Sequence, residues 1–251
     1  MFYAYIPKHN FKISQSARTM PKYVQQRQAL PIQNLDYFDE EKRTNSRHGD
    51  LLPESFRAMF IGPSNCGKTN ALLALIYDPN GARFENIYVF SKTLYQPKYK
   101  LLESVLKRVK GVGYFQFRDE DELIDPSEAK PNSIFIFDDV ICEKQKKIRE
   151  YYSMCRHKNI DVMFVTQTYT SVSKQLIRDN SNIIVLFRQD EKNLKYVFNE
   201  HVSPDMSYER FKELCGDCWR DKYGCLVIIK DFPTDNGRYR KGFDQYIKVT
   251  V

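Results

Sequence analysis

The chain has 251 residues, 42% of them hydrophobic, with a formal net charge of +7 and a pI of about 8.9. That length suits one α/β domain with an appendage, and no apolar run approaches the roughly 20 residues of a membrane span. Six cysteines are too few for a disulfide framework at this length, and the opening MFYAYIPKHNFKIS lacks the apolar block of a signal peptide, so an intracellular, reducing setting is expected. The basic surplus suits polyanionic partners such as nucleic acid, though it also suits an ordinary soluble surface.

Residues 1–50 are rich in Gln, Asn, Ser, Lys and Arg, show no sustained apolar period, and are broken by Pro7, Pro21 and Pro31. They are expected to form a basic, irregular N-terminal arm ahead of a single domain spanning residues 51–251. From residue 51 an α/β rhythm begins. Strands are predicted at 56–61, 86–91, 114–117, 133–138, 161–167, 182–188 and 225–230. Helices are predicted at 68–77, 97–109, 143–156, 171–179, 190–200 and 207–215. Alternation of this kind predicts a doubly wound, mainly parallel sheet with helices on both faces. Ligands then bind beyond the carboxyl ends of the strands.

The first strand runs into GPSNCGKT, a complete GxxxxGK[ST] match comprising Gly62, Pro63, Ser64, Asn65, Cys66, Gly67, Lys68 and Thr69. The glycines permit backbone angles that a Cβ forbids, so successive N–H groups can turn inward around a phosphate. The N-terminus of the following helix favours the same anion. Lys68 is placed to reach the β- and γ-phosphates and the Thr69 hydroxyl to hold Mg²⁺. Cys66 lies beside Lys68 at that helix N-terminus, a setting expected to lower its thiol pKa.

Further on, SIFIFDDV ends an apolar strand with Asp138 and Asp139. Charge at the end of a buried strand is costly unless it is used. Asp138 suits the Mg²⁺ shell, and Asp139 can orient or deprotonate an attacking water, which favours ATP hydrolysis over GTPase switching. The next strand closes on Gln167, which should emerge beside Asp138 if the two strands are neighbours and can contact the γ-phosphate or the water. A strand with two acids, then a strand ending in a polar residue, is the layout of the additional-strand, RecA-like phosphate-loop NTPases.

Between and beyond these motifs lie weaker signals. Lys144, Lys146, Lys147 and Arg149, and separately Lys92, Lys98 and Lys100, are basic candidates for duplex DNA phosphates or for a plain solvated face. Tyr169 is a candidate for a DNA channel wall. Cys215, Cys218 and Cys225 hold half of a zinc pattern. His201 is spaced atypically for it and Cys225 opens an apolar strand, so the balance is against zinc.

Together GPSNCGKT, IFIFDDV and YSMCRHKNIDVMFVTQTY resemble the DNA-packaging ATPases of large double-stranded DNA viruses of the poxvirus type. Their relatives occur in adintoviruses and Maverick/Polinton elements, within the FtsK–HerA superfamily. The resemblance spans roughly residues 48–230 and rests on the order and spacing of the three motifs. It implies a homo-oligomeric ring that drives double-stranded DNA into a capsid using ATP and Mg²⁺, in an infected cell, beside capsid or portal components; the absence of a long apolar run leads to the expectation of no membrane partner. It also implies an arginine donated by the neighbouring subunit, matched here by Arg156, with Arg178 and Arg188 as alternatives. A helicase or remodelling ATPase, a small-molecule kinase and a nucleotide-gated scaffold are the competing readings. The acid pair fits water activation better than it fits a kinase.

Overall fold

All seven predicted strands are present, and their apolar character explains where they lie. The structure is a computed structural model that describes residues 47–138, 140, 146–154 and 159–249. In chain order the strands are β1 (Arg57–Ile61), β2 (Asn86–Ser91), β3 (Gly113–Phe117), β4 (Ser133–Asp138), β5 (Ile160–Thr166), β6 (Ile183–Leu186), β7 (Leu226–Ile229), β8 (Tyr239–Lys241) and β9 (Gln245–Ile247). They form one nine-stranded sheet in the order β3-β2-β4-β5-β1-β6-β7-β8-β9. The first six positions are parallel and the last three pairings antiparallel. Every residue of β2, β4, β5, β6 and β7 is buried. Strands covered on both faces lose the alternation of a half-exposed sheet, which is why they stand out as continuous apolar runs.

Helices cover both faces. One core cluster packs Leu72, Leu73 and Leu75 of α1 (Lys68–Tyr77) and Tyr99 and Leu102 of α2 (Pro97–Leu106) against Phe60, Val89 and Ile136. The other packs α3 (Lys146–Met154), α4 (Glu191–Val197) and α5 (Tyr208–Cys218) against Met59, Tyr88 and Phe137. Phe135 carries much of the second face, stacked on Tyr88 at 4.3 Å and set against Tyr151 of α3 at 4.5 Å. Each such pair adds about 0.5–1.5 kcal/mol beyond its buried area.

Two predicted helices differ in detail. Residues 171–179 form a 3₁₀ turn (Tyr169–Ser171) and then a π-helical turn (Lys174–Arg178), and α4 runs on into a second π-helical turn (Phe198–Val202). Each wider turn admits an extra residue, so neighbours that an α-helix would splay apart both face inward. His201 and Val202 are both buried in the second. Strands β8 and β9 escape the sequence reading because YRK and QYI are short and polar, as befits strands that close a sheet edge.

The domain begins earlier than residue 51. Arg47 and His48, expected in the arm, belong to the folded part, where the His48 Nε2–H donates to Asp161 at 2.9 Å inside the core. The arm before residue 47 lies outside the described residues. Among the described residues no helix is long and apolar enough to cross a membrane.

Candidate nucleotide site

Residue pairing across the sheet decides what meets at its carboxyl edge. Ile61, the last residue of β1, is opposite Thr166 of β5, and Asp138, the last of β4, is opposite Val165. The phosphate loop and the acid therefore emerge on either side of β5. Gly62 donates its N–H to the Thr166 carbonyl at 3.2 Å, which ties the start of the loop to that strand. A Cβ on Gly62 would lie 2.6 Å from both Phe187 Cβ and Cys66 Sγ, so only glycine fits there. Gly67 has φ of 111°, the left-handed region that favours glycine.

Helix α1 starts from Gly67 without a side-chain cap or an acid in its first turn. In contrast, α4 is capped by Asp190 accepting from the Asn193 N–H at 2.8 Å, and α5 by Ser207 accepting from the Arg210 N–H at 3.3 Å. The exposed first-turn N–H groups of α1 are thus available to an anion. Lys68 Nζ, at the first helical position, donates to the Pro63 carbonyl at 2.8 Å and to the Gly62 carbonyl. The ammonium is thereby held over the loop it would share with a phosphate.

Ser64, Asn65, Gly67, Lys68 and Thr69 line one cleft with Asp138 and Gln167. Asp138 is 9% exposed, and its Oδ2 accepts from the Tyr99 hydroxyl. That bond fixes the carboxylate's rotamer from the α2 side. A hard cation such as Mg²⁺ takes one or two carboxylates with the remainder from phosphate and water. The Thr69 hydroxyl and the single Asp138 carboxylate on one cleft fit that requirement. Gln167 is exposed beyond β5 and lines the same cleft.

The loop after β2 brings a group that the sequence reading placed elsewhere. Thr93, Gln96 and Lys98 also line the cleft. Lys98 sits in the first turn of α2, whose Pro97 occupies a first-turn position. A proline entering a helix straight after a buried strand was the available signal, since β2 turns out to neighbour β4. Lys98, expected as a basic candidate for DNA phosphates or a solvated face, lines the phosphate-loop cleft.

Cys66 departs from expectation. Burial raises its thiol pKa, and the opposing pull of Lys68 is smaller. The sulfur packs with Phe187 and Cys225 in the apolar cluster under α1, so it contributes to the floor of the loop rather than acting as a reactive thiolate. Among the described residues no three His, Cys, Asp or Glu side chains group as a metal site. Burial pushes the Cys218 and Cys225 thiols up to about 11 and about 12, and Cys215 upward as well.

The sequence profile of the family described as poxvirus A32 protein matches residues 43–201, more than half of the chain. The chain belongs to the poxvirus A32 protein family. The match spans the phosphate loop, Asp138 and Gln167. The fold is also that of the genome packaging NTPase B204 from Sulfolobus turreted icosahedral virus 2, solved with sulfate. That likeness covers 77% of this chain and 98% of B204, at 12% identity and a TM-score of 0.53. The crystal structure of B204, the DNA-packaging ATPase from Sulfolobus turreted icosahedral virus, matches 74% of this chain and 96% of its own at 14% identity and a TM-score of 0.50. No curated protein matches the chain by sequence.

Within this A32-family chain the three arginine candidates separate. Arg156 lies outside the described residues, as does the expected water-activating Asp139. Arg178 is 9% exposed, paired with Glu200 at 3.1 Å and set 4.8 Å over the Tyr169 ring. That engagement removes it from service to a neighbour. Arg188 is exposed just past β6, at the same sheet edge as the phosphate loop.

Tyr169 is fully buried and so cannot line a DNA channel. Its hydroxyl lies 2.6 Å from Glu200 Oε2 and 2.7 Å from His201 Nε2. The two π-helical turns supply Arg178, Glu200 and His201, and all three converge two residues beyond Gln167. π-Turns are rare and recur at functional sites. Burial, reinforced by Lys230, Arg178, Arg238 and Lys174, depresses the His201 pKa to about 3. The unfolded chain therefore takes up a proton below about pH 6.5 that the folded His201 refuses until about pH 3. This contribution is neutral above about pH 6.5. Below it, stability falls by up to about 1.4 kcal/mol per pH unit. His201→Gln keeps a partner for Tyr169 without the titration. The drop in melting temperature between about pH 7 and about pH 5 is expected to be smaller in that variant than in wild type.

Proposed function

We propose that the chain is an ATP-hydrolysing motor that moves double-stranded DNA into a viral or virus-like capsid. One observation carries the reading: the phosphate loop, Asp138 and Gln167 face one cleft from three adjacent parallel strands, in a chain of the A32 family. The likeness in fold to B204, a genome packaging NTPase, supports the same assignment.

In this mechanism the first-turn N–H groups of α1 and the Lys68 ammonium grip the β- and γ-phosphates of ATP. Lys68 exchanges its contacts with the Gly62 and Pro63 carbonyls for phosphate oxygens. The Thr69 hydroxyl and the Asp138 carboxylate, the latter steadied by Tyr99, would hold Mg²⁺. The ion supplies neutralisation of charge on the transferring phosphoryl group. Asp139 accepts a proton from the attacking water, and Gln167 orients that water and registers departure of the γ-phosphate. A neighbouring subunit donates the arginine, with Arg156 matched by the family resemblance and Arg188 favoured by its exposure at this edge. Such an arginine is worth about 10³–10⁵ in rate. It also requires a head-to-tail interface that closes into a ring. Duplex DNA threads the ring, capsid or portal components anchor it, and the machine works inside an infected cell.

The test is the ATPase rate with and without duplex DNA, read beside the oligomeric mass. A ring-sized assembly whose turnover rises severalfold with duplex supports packaging. A monomer that ignores duplex and phosphorylates a small acceptor would move the chain to the kinases.

A further inference from the structure

A second cavity of about 380 Å³ opens beside the phosphate loop, on the flank of α1. Its walls are Asn70, Ala71 and Ala74 of α1, Tyr223 and Cys225 ahead of β7, and Phe243 in the turn after β8. Its size falls within the range of small-ligand pockets, and its lining is mostly apolar with a few polar groups, as such pockets are. Gly67 borders both this cavity and the cleft that holds Lys68 and Asp138. The two cavities therefore adjoin at Gly67.

The junction is shaped by an aromatic ring. A Cβ added to Gly67 would lie 3.1 Å from Tyr223 Cδ1, so the tyrosine sits directly against the loop backbone. Tyr223 is 50% exposed. Lys222 lies 5.2 Å over it. The topology explains the placement. β7 runs antiparallel to β6, with Leu226 opposite Leu186, so the residues just before β7 reach the edge where β1 ends. The strands that the sequence reading missed thus complete a wall of the nucleotide site: Phe243 and Asp244 lie in the turn between β8 and β9.

We propose that this cavity seats the purine base of the nucleotide, with Tyr223 as the stacking surface, Phe243 as a further aromatic wall residue, and Asn70, Asp78 and Asp244 as its polar side chains. The proposal rests on the ATP reading above. A flat aromatic base gains from a ring it can stack on, and such stacking is worth roughly 5- to 150-fold in affinity per base. A purine offers more stacking surface than a pyrimidine. Tyr223 and Phe243 lie beyond the family match at residues 43–201, whereas Asn70 lies within it.

The experiment compares binding of ATP and of inorganic tripolyphosphate to wild type, Tyr223→Ala and Tyr223→Phe. Tyr223→Ala is expected to weaken ATP about tenfold or more and to leave tripolyphosphate unchanged, while Tyr223→Phe retains ATP affinity. Equal weakening of both ligands, or no weakening of ATP, overturns the base pocket while leaving the nucleotide reading intact. A wild-type chain that binds neither ligand overturns both.

Discussion

Lys68→Ala is expected to lower ATP turnover by about 30- to 4,000-fold while leaving the fold intact. Lys68 provides charge-assisted hydrogen bonds at the point where phosphate charge is concentrated. Truncating one partner of such a pair in a desolvated site costs about 2–5 kcal/mol, and each 1.4 kcal/mol is a factor of ten. The side chain begins a helix and donates to the Gly62 and Pro63 carbonyls of its own loop at the cleft, so its removal opens no core cavity. Melting temperature is therefore expected to stay within a few degrees of wild type, which separates a lost contact from a lost fold. Single-turnover hydrolysis and equilibrium nucleotide binding provide the check. Wild-type turnover in a folded Lys68→Ala protein would remove the phosphate loop from the mechanism.

The loop was legible because its constraints are local. Two glycines, a lysine and a hydroxyl at fixed spacing state the backbone angles and the ligand together. The buried parallel strands were legible for a related reason: SIFIFD and IDVMFVT are apolar on both faces, so the class of sheet could be inferred before any pairing was known. The place of Gln167 beside Asp138 followed only on the condition that β4 and β5 are neighbours, and the register of Asp138 against Val165 supplies it. What could not be read was contact between distant stretches. Lys98 joins the site because β2 pairs with β4, and Tyr223 because β7 returns antiparallel. Cys66 was misjudged since spacing places it near a lysine but says nothing of the apolar floor beneath it. The π-turns around Tyr169 have no sequence period of their own, so their buried network was read as ordinary helix.

The largest expected effect on stability lies at the opposite end of the same strands. Asp161, the second residue of β5, is fully buried, and its Oδ1 accepts from the Phe56 N–H at 2.8 Å. Its Oδ2 lies 2.9 Å from both Arg47 and His48. Because His48 Nδ1 accepts from the Arg83 N–H at 3.1 Å, the ring proton is assigned to Nε2, which donates to the aspartate. Burial pulls the Arg47 guanidinium pKa down, and Asp161 and Glu54 pull it back up. One carboxylate thus ties the segment before β1 to β5. Asp161→Ala strips three donors of a shared acceptor and leaves the partly buried Arg47 guanidinium without its nearest carboxylate. Breaking such a pair costs about 3–5 kcal/mol, a large share of the roughly 5–15 kcal/mol that holds a domain together. Asp161→Asn keeps one acceptor oxygen, enough for the Phe56 N–H or the His48 Nε2–H but not both, and loses the charge, so its urea midpoint is expected between those of Asp161→Ala and wild type. The site should not notice. Asp161 and Thr166 are five residues apart along β5, about 17 Å at the rise of a strand, so the folded fraction of either variant is expected to bind ATP as wild type does. An Asp161→Ala protein as stable as wild type would mean that the domain gains nothing from burying this cluster. A folded variant with impaired ATP affinity would mean instead that the two edges of the sheet are coupled.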